Sequence, residues 1–256
     1  MLLNMKDVDI VSLSLDHKFN FRCYKGISCF TRCCSNIDIL LTPYDILRLK
    51  NRLGLLSGEF LHKYTFINID DKTSHPFVFL KMLDNEKRLC PFVTEDGCTV
   101  YSDRPANCRY YPVGQASLKK MDEHLKKPFT DEFYFFVRED HCKGFQEDKQ
   151  WTIREWRIDQ EAELYDDMNR QWKELLFRRN LPGSELDEKK QKAFYMAAYD
   201  IDRFRDFVFK SGFLDRFVID EELLKKIKND ETELMKFGFS YLKYILMIEE
   251  TLKVKT

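Results

Sequence analysis

The spacing of apolar positions along this chain changes twice. At the start, VDIVSLSL (8–15) alternates apolar and polar residues, which predicts an edge strand. From Thr42 the spacing turns helical. TPYDILRLKNRLGL carries Ile46, Leu47 and Leu49, with Thr42 suited to cap the helix, Pro43 to open it and Gly54 to end it. A second short helix follows Ser57 in SGEFLHKYT. Between 66 and 140 the runs are short and β-prone: FINID and FVFLKML are split by the turn-rich DDKTSHP, and EFYFFVRED (132–140) is a further strand ending just before His141. CPFVTEDGCTVY predicts a hairpin with Glu95-Asp96-Gly97 at its tip, where Gly97 supplies a positive φ. Arg104-Pro105 then opens a tight turn.

Beyond about residue 150 the pattern is helical throughout. Thr152 and Glu155 form a capping-box pair at the head of TIREWRIDQEAELYDDMNRQWKELLFRR, predicted as one helix reaching Leu181-Pro182-Gly183. Ser184 opens the next segment, where Phe194, Tyr195, Ala198, Ile201, Phe204 and Val208 make one helical stripe, read as core. Asp220 and Asp230 are placed to cap two final helices. The expected fold is therefore α+β: a small irregular unit with short hairpins over 1–148, followed by a helical C-terminal region over 149–256.

Composition narrows this little. Lys+Arg is 42 against Asp+Glu 43, so no basic excess points to nucleic acid or to an anionic membrane. An aromatic share of 14% belongs to a packed protein. The start MLLNMKDVDIVSLSLDHKFN has acidic residues early and no long apolar run, so neither a secretory signal nor a membrane span is expected.

Cysteine changes the picture. Cys23, Cys29, Cys33 and Cys34 fall within one short loop, Cys90, Cys98 and Cys108 within a second, and Cys142 stands alone. None follows Lys143. Cysteines acting as core filler would scatter with the other apolar residues, so these are used together. In a cytoplasmic chain structural disulfides are rare, and the neighbours Cys33 and Cys34 would strain a bond between them. Metal ligation is the remaining use. Thiolates suit zinc and iron–sulfur clusters, and eight of them suffice for two four-ligand sites or for one site with bystanders. Loops 23–34 and 90–108 are expected to share a centre, with Cys142 completing it or a second one. Cys33 and Cys34, if extended, need not face the same metal.

Lys25, Arg32, Arg88, Arg104 and Arg109 flank the thiols, either moderating thiolate charge or lying on the surface as ordinary loop charges. Gly144 would let the Cys142 loop approach closely. His141, beside Cys142, is a candidate ligand but is read first as a satisfied or exposed histidine, and His17, His62, His75 and His124 are given no role. No dinucleotide, Walker or H-E-x-x-H motif is present.

The ordering FRCYKGISCFTRCC, LTPYDILRLKNRLGL and LCPFVTEDGCTVYSDRPANCRYYP resembles the YkgJ-type cysteine cluster family, a zinc- or iron-chelating domain, over roughly residues 20–145. Many relatives space the first pair C-x2-C. Five residues separate Cys23 from Cys29 here, which marks a variant branch. The resemblance implies that these cysteines bind a metal ion or a cluster. A related group includes flagellin lysine N-methylases, so an iron–sulfur-dependent enzyme is one alternative, with a protein substrate. A metal chaperone or store is another, and would need exposed, exchangeable thiolates.

Overall fold

The computed structural model describes residues 8–121, 128–177 and 185–255. The fold is α+β with a helical C-terminal region. It divides into two compact units, each discontinuous in sequence: residues 1–39 with 82–164, and 40–81 with 165–256. Pattern reading along the chain places a single boundary near 148. Here segment 40–81, which lies between the two cysteine loops, groups with the later helices.

The first unit is built on a three-stranded antiparallel sheet with Pro128–Val137 in the middle, between Val8–Leu13 and Val113–Met121. Val8–Leu13 matches the predicted edge strand, and Pro128–Val137 the strand predicted over 132–140, though it starts earlier and stops short of residue 140. Val113–Met121 was not predicted, because QASLKK carries too little apolar signal and its register comes from its neighbour. A smaller ladder pairs Lys18–Asn20 with Gln150–Thr152. Phe19, Phe21, Tyr134, Phe136, Ile153 and Trp156 form its core. The Phe21 ring stands edge-on to Trp156 at 5.4 Å and to Phe145 at 5.3 Å, the offset geometry that aromatic quadrupoles favour.

The capping box at Thr152 and Glu155 forms as predicted. The long helix it was expected to start is broken, however, into Ile153–Asp159 and Ala162–Phe177. Between them Glu161 adopts φ 54°, and buried Arg109 donates to the carbonyl of Gln160 at 2.9 Å. A tertiary cation thus satisfies a helix-end carbonyl, which periodicity along the chain cannot reveal.

In the second unit Pro43–Leu53 begins at Thr42 with a full capping box and ends at Gly54. Ser57–Tyr64 follows, and Pro76–Leu80 pairs with both Leu40–Leu41 and Thr65–Ile69. The apolar stripe expected as one helix is two, Glu188–Tyr199 and Ile201–Lys210. Asp200 at the junction accepts from the Ser57 hydroxyl at 2.6 Å, and Asp202 from the Ser57 backbone N–H at 2.7 Å. These carboxylates serve the N-terminus of another helix, at the cost of a break in their own. Phe194, Phe204 and Val208 are fully buried. Asp220 and Asp230 cap Glu221–Asn229 and Glu231–Ile245 as expected. The Leu181-Pro182-Gly183 stop, Ser184 and His124 lie outside the described residues. Among the described residues no helix is long and apolar enough to cross a membrane.

Candidate metal centre

All eight cysteines belong to the first unit. The first loop is a chain of tight turns, in which the N–H groups of Ile27, Phe30 and Arg32 each bond back three residues. It ends in a 3-10 turn over Arg32–Cys34, entered through Thr31 at φ 66°. Because this backbone is coiled, neighbouring side chains do not alternate. Cys33 and Cys34 bring their sulfurs to 4.0 Å. Two thiolates bound tetrahedrally at ~2.3 Å from one metal would stand about 3.8 Å apart, so this pair can face one ion.

The second loop is attached to the first through the backbone. Cys90 N–H donates to the Cys34 carbonyl at 2.8 Å, and Ser35 and Leu89 form an antiparallel bridge. The Val93–Thr94 and Gly97–Cys98 strands make the predicted hairpin, with Gly97 at φ 114°. A Cβ on Gly97 would stand 3.3 Å from Phe30 of the first loop. Cys108 rides on the short helix Ala106–Tyr110, which follows Pro105.

The third loop turns at Glu139–Cys142, where Cys142 N–H bonds the Glu139 carbonyl at 2.9 Å. The next N–H, of Lys143, donates to the Cys29 sulfur at 3.2 Å. Gly144 makes the expected close approach: a Cβ there would fall 2.4 Å from the Phe21 ring.

These contacts line a recess with Cys23, Cys29, Cys33, Cys142, Tyr111 and His141. Its free space of about 20 Å³ is on the scale of one water or one ion. Cys34 brings its sulfur to 4.0 Å from that of Cys33, and Cys90 and Cys98 are close enough to feel the charge of Cys33. Cys108 is placed by its interaction with Arg104. Cys33 thus lines the recess and also neighbours thiols of the second loop. Among the described residues no three Cys, His, Asp or Glu side chains already stand as ligands about one point. The loops converge, and closure is left to the metal.

The electrostatics describe a place short of positive charge. Burial, then the nearby Cys33, Cys29 and Cys142, push the Cys23 thiol up to about 11. Burial does the same for Cys90, also to about 11. Cys33 is pushed far higher, by its contact with Cys34 first, then burial and the Glu139 carboxylate. Cys98 and Cys142 rise chiefly through burial. Acting against this are backbone N–H groups aimed at sulfur: Phe92 and Val93 at Cys90, Val100 at Cys98 and Gly144 at Cys142. Such donors favour a thiolate, and together with the Lys143 N–H they make four of these sulfurs fit as metal ligands.

Of the five flanking cations, Arg104 is the one that Cys98 and Cys108 feel. It lies buried, stacked on Tyr101 at 3.9 Å, and donates to Gln160. Lys25 pairs with Asp96 and Arg88 with Asp38 at the surface, while Arg109 serves the helix break. Tyr111 and Glu139 were missed by the sequence reading, which weighed His141 as a ligand but preferred a satisfied or exposed histidine. His141 is neither satisfied nor fully exposed: its Nε2 is buried without a hydrogen-bond partner. Its place next to Cys142 was the available signal.

Clustered soft donors, backbone N–H groups supporting them and an uncompensated recess define a thiol-based metal chelator. The chain belongs to the CxxCxxCC family, described as "Putative zinc- or iron-chelating domain", which it matches over residues 22–156. All eight cysteines fall within that span. No curated protein and no solved structure matches the chain.

Proposed function

We propose that the protein carries a cysteine-ligated metal centre, with Cys23, Cys29, Cys33, Cys34, Cys90, Cys98, Cys108 and Cys142 as its ligands and the cytoplasm as its compartment. The observation that carries this is the meeting of three separated loops: Cys90 N–H bonds the Cys34 carbonyl, Lys143 N–H bonds the Cys29 sulfur, and the Cys33 and Cys34 sulfurs stand 4.0 Å apart. A reducing compartment keeps such thiols available. The small recess, lined by Cys23, Cys29, Cys33 and Cys142, supports a single ion there. Cys98 and Cys108 beside the Arg104 cation support a second reading, an iron–sulfur cluster, whose excess negative charge that guanidinium would moderate.

Anaerobically purified protein decides. Stoichiometric zinc in a colourless solution identifies a zinc centre, and iron with acid-labile sulfide in a brown one identifies a cluster. Cys33→Ser should lose most of whichever is found, because Cys33 lines the recess and neighbours thiols of the second loop. Metal-free protein from metal-replete cells, in which all eight thiols react as fast as in the unfolded chain, would overturn the proposal.

A further inference from the structure

Two donors in the same neighbourhood are not sulfur. His141 Nε2 lies 3.3 Å from Glu139 Oε2. The contact does not have hydrogen-bond geometry, and Nε2 is left buried and unpartnered. A polar atom in that condition is costly unless something else engages it. Nitrogen and oxygen ligands on one tetrahedral ion, each bonded at ~2.0–2.1 Å, stand about 3.3 Å apart along the tetrahedron's edge. The observed separation matches that edge, so one ion could take both atoms with little movement.

The surroundings hold the pair in place. Glu139 Oε2 also accepts from the Tyr111 hydroxyl at 2.9 Å, which fixes the carboxylate as outer hydrogen bonds do around bound metals. The same hydroxyl bonds the Cys142 thiol, and Tyr111, His141 and Cys142 line the recess together. The turn from Glu139 to Cys142 brings all three donors from four consecutive residues. No hydrogen bond to Nε2 would have to be broken for a metal to take it.

We propose that Glu139 Oε2, His141 Nε2 and Cys142 Sγ, which do not yet stand about one point, close on one divalent ion of borderline softness, zinc or ferrous iron, next to the recess that His141 and Cys142 line. This deepens the metal-binding reading above and rests on it. One of the protein's metal positions is then mixed Cys/His/Glu, and Tyr111 is its positioning residue. Three protein ligands leave the fourth place of a tetrahedron open to water or to a substrate donor, whereas a four-thiolate site is closed.

The test uses the full-length protein loaded with zinc alone and read by zinc X-ray absorption. Wild type should show a nitrogen/oxygen shell with imidazole scattering beside the sulfur shell. His141→Ala and Glu139→Gln should each reduce the nitrogen/oxygen shell and weaken one zinc equivalent, leaving zinc held by the other cysteines in place. Tyr111→Phe should weaken the same equivalent by about tenfold or more, with all ligands kept. A wild-type spectrum containing sulfur alone overturns the mixed site while leaving the thiolate centre standing, and it does so whether or not the variants fold. Failure of wild type to bind zinc, iron or cobalt at all would sink both proposals.

Discussion

At the scale of single residues, the centre is governed by the protons its sulfurs hold. Cys23 and Cys90, with burial raising each to about 11, are neutral thiols around pH 7 in the metal-free protein. A metal binding to either sulfur must displace a proton, so affinity rises with pH and keeps rising until the thiols ionise unaided. Between about pH 6 and 8, zinc affinity should grow roughly tenfold per pH unit for each such thiol it engages. Competition against a chromophoric chelator at several pH values measures the slope. A flat profile would show that the bound sulfurs are already thiolates and that the backbone N–H donors outweigh burial.

At the scale of elements, the close packing of Gly144 on Phe21 is what presents the third loop. Gly144→Ala places a methyl 2.4 Å from the ring, so either the ring or the backbone must move. The expected cost is about 1–3 kcal/mol in the first unit, with zinc lost from the recess as Cys142 shifts. Denaturant unfolding and zinc content check both parts. If the variant is as stable as wild type and fully loaded, the loop is not held by this contact.

Elements whose signals are local were legible in the sequence. Thr42, Asp220 and Asp230 cap the helices they were expected to cap, and Gly97 turns the hairpin. The helix breaks at Gln160 and Asp200 were not legible, because their causes are Arg109 and Ser57, remote in the chain. The site divides in the same way. Clustering marked the cysteines, while His141 and Glu139 gain their interest from a separation that only folding produces.

At the scale of the whole molecule, the proposed ligands all belong to one unit, so metal and fold should be coupled there and not in the other. Every cysteine lies in residues 1–39 or 82–164, and the second unit has its own core of Phe60, Phe194, Phe204 and Phe239. Inside that second core Lys50, 4% exposed, is matched by Glu231 at 2.8 Å and Asp202 at 3.6 Å, so its buried charge is paired without any metal. Chelation should therefore speed hydrogen exchange across the three cysteine loops and leave Pro43–Leu53, Glu188–Tyr199 and Glu231–Ile245 unchanged. Equal loss of protection in both units would show that they unfold as one.

The excursion of the chain through 40–81 also sets an order of events at the ribosome. The cysteine unit is complete in sequence once Leu164 has been made, whereas the unit begun at Leu40 waits for helices as late as Glu231–Ile245. At ordinary elongation speeds that interval is roughly 5–20 s. A nascent chain can take up its metal during that wait. If the proposed centre fills in that wait, the ion it holds is the first one the translating cell offers.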